Sequence, residues 1–219
     1  MRATERLAGE ARPIWDRIME LPFVVELFKG ELPLEKFRAY ILQDYTYLVD
    51  AIRNFSLIAS RAPGVWAMKE LVEIAHLEAT GEFRGYEGFL ERLGLSLEDA
   101  AAAEPLPVNV SYRSFLLATS ATRSTAEALA AALPCFWSYR EIALHHARSL
   151  EGNRNELYRD WAAAYLCEDY VLLLEKLKNL LDALAGQADY ERLSEMFLTA
   201  SRYEHLYWQS VYGGGKWPL

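Results

Sequence analysis

Cysteine is nearly absent from the chain: Cys135 and Cys167 are its only two, with no Cys-x-x-Cys pair and no Cys/His spacing of a metal site. Neither a disulfide framework nor a zinc module is indicated, and a reduced, cytoplasmic setting is the expectation. Positive charge is also scarce, since 23 Lys and Arg stand against 31 Asp and Glu for a formal net charge of −8, and no basic run is interleaved with aromatic residues. That balance excludes DNA or RNA as the main partner. No apolar run is long enough to span a bilayer. The opening segment carries Glu5, Arg6, Glu10, Arg12, Asp16 and Arg17, which breaks up any signal-peptide core. No membrane partner is expected.

What is present is helical pattern. Half of the 219 residues are hydrophobic (52%), enough for a substantial core. Apolar residues recur at three and four, with almost no sustained alternation. Glycine and proline punctuate this pattern into segments at residues 4–19, 23–29, 34–61, 65–93, 97–103, 110–121, 125–150, 156–185 and 189–212. The breaks have local reasons: Pro33 opens one segment, Pro63 and Gly64 close it, and Pro105 with Pro107 set off a short connection. Thr125 before Glu127 and Asp189 before Glu191 have the form of N-terminal caps. No long linker divides the chain. The expectation is an all-α, single-domain helical bundle over residues 1–219, with 213–219 as a short tail.

Several polar groups fall on the apolar faces. In the last segment Leu193, Phe197, Ala200, Glu204, Tyr207 and Val211 share one stripe, so Glu204 faces the core. Phe37, Ile41, Asp44, Leu48, Ala51 and Phe55 form another, interrupted by Asp44 and flanked by Tyr40 and Tyr47. Burying an unpaired carboxylate costs several kcal/mol, so each acid must be hydrogen-bonded, protonated or facing a cavity. A third stripe holds Ala128, Ala132, Cys135, Tyr139 and Ile142 and sets thiol and phenol one turn apart. Tyr112 and Tyr165 point inward from two further segments. Core tyrosines with satisfied hydroxyls and acids paired with Arg or Lys would give the same pattern. Gathered in one place, the same groups would suit a planar cationic or heteroaromatic ligand.

Cys135 follows Pro134, which either opens a new helix or kinks an existing one. At a helix start, the positive end of the helix dipole would lower the thiol pKa from about 8.5 and yield thiolate near neutral pH. A free cysteine is equally at home as a small buried hydrophobe. Cys167, beside Glu168 and Asp169, is expected to be structural because negative neighbours disfavour its thiolate.

Leu133-Pro134-Cys135 with Trp137 and Tyr139, the run Leu42-Gln43-Asp44-Tyr45-Thr46-Tyr47-Leu48, and Tyr203-Glu204-His205-Leu206-Tyr207-Trp208 together resemble the TenA family, also called thiaminase II. Leu32-Pro33-Leu34 with Phe37, and Trp161 with Tyr165, extend the likeness over nearly the whole chain. The resemblance implies a heme-oxygenase-like bundle without heme or other cofactor, assembled as a homotetramer. It implies hydrolysis of 4-amino-5-aminomethyl-2-methylpyrimidine to the hydroxymethyl pyrimidine and ammonia, with thiamine as a further substrate, in thiamine salvage. By motif, Cys135 is the nucleophile and Glu204 the proton donor to a ring nitrogen. Asp44 binds the aminopyrimidine, Tyr47 assists the thiol, and Tyr112, Tyr139 and Tyr165 line or stack on the ring. The chain departs from the family at Leu21-Pro22-Phe23, at Arg140 and along residues 65–93. Arg140 is expected to pair with Glu141 or a neighbouring helix.

Two other readings remain at this level. Glu73-Ile74-Ala75-His76 is a Glu-x-x-His pattern of the kind found in di-iron oxidases, but a second such pair is missing, and His76 is expected at the surface with no metal bound. A binding or regulatory protein that holds a thiamine fragment without turnover is the other.

Overall fold

The computed structural model describes residues 1–217. They form α-helices and short 3₁₀ and π segments, with no strand among the described residues. The helices are α1 (Ala3–Met19), α2 (Pro22–Lys29), α3 (Leu34–Ser60), α4 (Val65–Leu77), α5 (Phe83–Arg92), α6 (Leu97–Ala102), α7 (Pro107–Thr122), α8 (Thr125–His146), α9 (Glu156–Ala164), α10 (Glu168–Ala185) and α11 (Tyr190–Gly213). A π-turn, Glu78–Glu82, joins α4 to α5, and a 3₁₀ segment, Ala147–Gly152, follows α8.

Local chemistry sets most ends. Pro22 and Pro107 occupy first-turn positions where the missing N–H is no loss. Ser96 and Asp99 form a reciprocal capping box at α6, and the Asn155 side chain accepts from Leu157 and Tyr158 N–H at α9. Asp189 caps α11 as expected, its Oδ1 accepting from Glu191 N–H at 2.9 Å. Thr125 is not the cap that its spacing suggests: it lies inside α8, and its hydroxyl donates to the Arg61 carbonyl at 3.1 Å.

The chain forms two compact units. The first comprises Met1–Leu32 and Ala126–Gln209, and so holds α1, α2, nearly all of α8, α9, α10 and most of α11. There α1 packs on α10 and α2, and α2 on α9 and the 3₁₀ segment. Leu7, Trp15, Phe23, Phe28, Ala143, Leu181, Phe197 and Trp208 are among its fully buried residues. Thr4 ties the start of α1 to α10, its N–H and hydroxyl donating to the Asp182 carboxylate at 2.9 and 2.8 Å. The end of α2 is clamped by Asn153, whose Nδ2 donates to the Leu27 and Phe28 carbonyls at 3.0 and 3.2 Å while its Oδ1 accepts from Asn155 N–H at 2.8 Å. Gly30, with φ +80°, makes the left-handed exit there, and an added Cβ would lie 2.4 Å from Asn153 Oδ1.

The second unit, Pro33–Thr125 with the chain from Ser210 onward, is built on α3, which packs on α4, the π-turn, α5, α6 and α7. Gln43 fixes the approach to α7: its side chain donates to the Glu104 carbonyl and accepts from Leu106 N–H, at 2.9 and 2.8 Å, and Asn109 Nδ2 donates to its main-chain carbonyl at 2.7 Å. Asp50, buried on α3, receives Arg53 at 2.7 Å and also Arg113 of α7. In the expected tail, Trp217 Nε1 donates to the Pro105 carbonyl at 3.0 Å; residues 218 and 219 lie outside the described residues.

Three expected helices are broken differently. Residues 65–93 are α4, the π-turn and α5 rather than one helix; residues 125–150 end in 3₁₀ geometry; residues 156–185 are two helices separated at Tyr165–Cys167. Tyr165 is the C-cap of α9 and Cys167 the N-cap of α10.

Candidate functional site

In the first unit, α8 carries Cys135 and Tyr139 and runs continuously through Pro134. The proline is therefore interior, so of the two outcomes left open for it the helix start that would activate the thiol through the dipole is not the one adopted. Cys135 is half-buried and Tyr139 is buried, one turn on. The Tyr139 ring lies 5.0 Å from Tyr165, 6.0 Å from Trp161 and 5.2 Å from Trp208, and Trp161 lies 4.8 Å from Tyr165. These are the tilted and edge-on separations at which aromatic pairs attract. Tyr165 meets Tyr170 edge-on at 5.1 Å, and the Tyr170 hydroxyl donates to the Phe136 carbonyl at 2.9 Å, next to Cys135.

Arg140 braces that frame. Arg140 does not pair with Glu141: its guanidinium donates to the Tyr165 carbonyl at 2.9 Å, tying α8 to the α9 cap that presents the Tyr165 ring. Glu141 instead accepts from Trp137 Nε1 and from Arg12, both at 3.2 Å. On α11 the whole predicted stripe is buried, and Glu204 is only 2% exposed. A carboxyl so enclosed is shielded from bulk water, the setting in which proton donation to a bound base is strengthened. Trp208, on the same face one turn after Glu204, was within reach of the spacing that found Glu204.

The second unit holds Asp44, Tyr47 and Tyr112. Asp44 is half-buried on α3, and the Tyr47 ring lies 5.6 Å from that of Tyr112, which is 1% exposed on α7. The Gln43 clamp, one residue from Asp44, sets the start of the helix that carries Tyr112. The predicted residues thus fall into two groups: Cys135, Tyr139, Tyr165 and Glu204 in one unit, and Asp44, Tyr47 and Tyr112 in the other.

Residues 65–93 contain a cluster absent from the expected site. Glu78 is buried on the π-turn, and burial together with the charges of Glu82 and Asp44 pushes its carboxyl well above the ordinary range. Burial raises Glu82 as well. Tyr86 is pushed up by burial and by Asp44, and its hydroxyl donates to the Ile41 carbonyl at 3.0 Å. Glu73 and His76 are exposed, and among the described residues no three His, Cys, Asp or Glu side chains are grouped to hold a metal ion. Cys167 is exposed at the head of α10, its thiol donating to the Ala164 carbonyl at 3.1 Å, so it is not a core residue.

With this geometry in place, the comparisons with known proteins are decisive on family. The model of the TENA/THI-4/PQQC family matches residues 9–214. The chain belongs to this family. It is 30% identical over 214 residues to the aminopyrimidine aminohydrolase of Halalkalibacterium halodurans, covering 96% of each chain. The solved structure of a TenA homologue from P. horikoshii OT3 is 42% identical, with a TM-score of 0.94 over 98% of this chain and 100% of that one. A domain with a heme oxygenase-like fold from Shewanella denitrificans, 17% identical, superposes with a TM-score of 0.80 over 96% of this chain and 92% of that one. The TENA/THI-4/PQQC chain described here accordingly has the all-α heme-oxygenase-like fold. None of its described helices is long and apolar enough to cross a membrane.

Proposed function

We propose that the protein is an aminopyrimidine aminohydrolase that converts 4-amino-5-aminomethyl-2-methylpyrimidine to the hydroxymethyl pyrimidine and ammonia in thiamine salvage, and that it also accepts thiamine. The observation that carries this reading is the buried Glu204 together with the box of Tyr139, Trp161, Tyr165 and Trp208 around the helix of Cys135. Flat aromatic walls take up a heteroaromatic ring by stacking, and a shielded carboxyl group protonates a weakly basic ring nitrogen that water would leave neutral.

The steps balance without a redox partner. Glu204 protonates a ring nitrogen, which makes the ring electrophilic. The Cys135 sulfur then forms a bond to a ring carbon as its proton passes to the side-chain amine, and the pyrimidine loses aromaticity. Ammonia departs from the side-chain methylene with the electron pair of the broken C–N bond, leaving an exocyclic double bond. Water adds to that methylene, its proton passes to the Cys135 sulfur as the C–S bond breaks and the ring regains aromaticity, and the ring proton returns to Glu204. One difficult displacement becomes several easier ones. By motif resemblance, Asp44, Tyr47 and Tyr112 are assigned to substrate binding. Homotetramer assembly and a cytoplasmic location complete the reading.

Ammonia release from the aminomethyl pyrimidine, run beside thiamine, tests it. Wild type should turn over, Cys135→Ser should be silent, and Glu204→Gln should lose about 10² to 10⁴ in kcat, the usual worth of general acid–base catalysis. Turnover surviving in Cys135→Ser would overturn the assigned nucleophile, and a wild type that releases no ammonia would overturn the reaction.

A further inference from the structure

The corner between α9 and α10 carries Tyr165, one of the rings packed against Tyr139, and it is fastened to α8 at two points. The last carbonyls of a helix have no N–H of their own helix to take them up. At the α9 cap the Tyr165 carbonyl is taken by Arg140, whose Nη1 donates to it at 2.9 Å. A cation at a helix C-terminus is further favoured by the helix dipole. On the far side of the corner, the Tyr170 hydroxyl donates to the Phe136 carbonyl, also at 2.9 Å. Along α8 the two anchors stand immediately after the two site residues, since Phe136 follows Cys135 and Arg140 follows Tyr139. Any displacement of the corner therefore changes the spacing between the Tyr165 ring and the face of α8 that bears thiol and phenol.

The anchors differ in kind. Tyr170 is buried and its ring meets that of Tyr165 edge-on at 5.1 Å, so its removal would also open the core. Arg140 is half-buried and acts on Tyr165 through the main chain. Its removal leaves the rings themselves in place and frees the backbone that aims one of them.

We propose that Arg140 is a positioning residue for the aminopyrimidine reaction: by holding the Tyr165 carbonyl it sets the Tyr165 ring at a fixed spacing from Tyr139, as a preformed wall for the heteroaromatic ring of the substrate. The proposal rests on the reading above that this aromatic box takes up the ring. Every residue it uses lies in the first compact unit. Arg140 acts through Tyr165 and not on the reacting atoms. A wall that stacks on the ring equally before and during the chemistry contributes to binding and leaves the barrier as it was, so its loss appears in KM while kcat holds. With the wall already in place, substrate binding is spared the cost of ordering the corner.

The experiment measures KM and kcat for the aminomethyl pyrimidine in wild type, Arg140→Met, Arg140→Lys, Tyr165→Leu and the double variant of Arg140→Met with Tyr165→Leu, with urea unfolding of each. Arg140→Met, which keeps the stem and removes the donors, should raise KM about tenfold, the order of one charge-assisted hydrogen bond, with kcat nearly unchanged. Arg140→Lys, which returns a cationic donor on a flexible stem, should recover most of the wild-type KM. The double variant decides how Arg140 acts: with Leu at position 165 no ring is left to aim, so adding Arg140→Met should leave KM where Tyr165→Leu put it. An Arg140→Met protein that loses stability but keeps the wild-type KM, or a double variant whose KM is the product of the two single effects, would overturn this inference alone. A wild type that releases no ammonia would overturn the function and the inference with it. Should Arg140→Met fail to fold, Arg140→Gln, whose amide falls short of the Tyr165 carbonyl, takes its place with the same expected rise in KM, and an unchanged KM there overturns the proposal.

Discussion

The clamp at the end of α2 makes a sharp energetic claim. Gly30 has φ +80°, where an L side chain costs about 1–2 kcal/mol. Its added Cβ would meet Asn153 Oδ1 at 2.4 Å, and that amide cannot swing aside without giving up its bonds to the Leu27 and Phe28 carbonyls and to Asn155 N–H. At about 1 kcal/mol net for each bond, Gly30→Ala should cost about 3–5 kcal/mol. Asn153→Ala, which strands buried main-chain groups at 2% exposure of the parent residue, should cost about 2–4 kcal/mol. The double variant is the informative one. With the amide removed, the Cβ at position 30 has nothing left to strike, and only the backbone term of about 1–2 kcal/mol should be added. The double should therefore be less destabilised than the sum of the singles by about 2–3 kcal/mol, well outside the additivity expected of independent sites. Equilibrium urea unfolding followed by far-UV circular dichroism measures all four proteins. A double variant that equals the sum within about 0.5 kcal/mol would refute the claimed contact.

Two further tests concern stability. Because burial raises the Glu78 carboxyl above its ordinary value of 4.5, folded and unfolded chains both hold its proton at low pH. Above about pH 4.5 the unfolded chain releases the proton first, so the wild type should lose stability relative to Glu78→Gln at roughly 1.4 kcal/mol per pH unit until the folded protein also releases it. Unfolding curves across pH check this, and a constant difference between the two proteins would contradict the burial of an unpartnered acid. Gly9 is exposed within α1 and an added Cβ there meets nothing within 4 Å, so Gly9→Ala should gain about 0.5–1 kcal/mol by restoring helix propensity, read as a melting point higher by a few degrees.

The apolar stripes of α3, α8 and α11 were legible because Glu204, Asp44 and Cys135 interrupt runs of three and four that the fold buries as a face. The break at Tyr165 was not, since Trp161 to Asp169 contains neither glycine nor proline. The signal lies in Glu168 and Asp169, first-turn acids that mark the start of α10. The π-turn was hidden for another reason: α and π turns place residues four apart on nearly one side, so periodicity cannot separate them. Glu78 itself follows Leu71 and Ile74 at helical spacing, the same interruption that singled out Asp44. The neighbouring Glu73 and His76 pattern drew the reading to residues that prove to be exposed. Pro134 left two outcomes open, and only the surrounding packing of α8 selects the interior one.

The bonds that fasten these helices share a property that bears on how the protein has changed over time. Tyr158 donates to the Leu32 carbonyl, Tyr170 to that of Phe136, Tyr86 to that of Ile41, Arg140 to that of Tyr165 and Gln43 to that of Glu104. In each pair only the donor is written in the sequence. The acceptor is main chain, so mutation of the receiving residue leaves the oxygen where it was. Half of every such fastening is therefore exempt from genetic drift, and a scaffold built this way can keep its geometry while most of its side chains turn over.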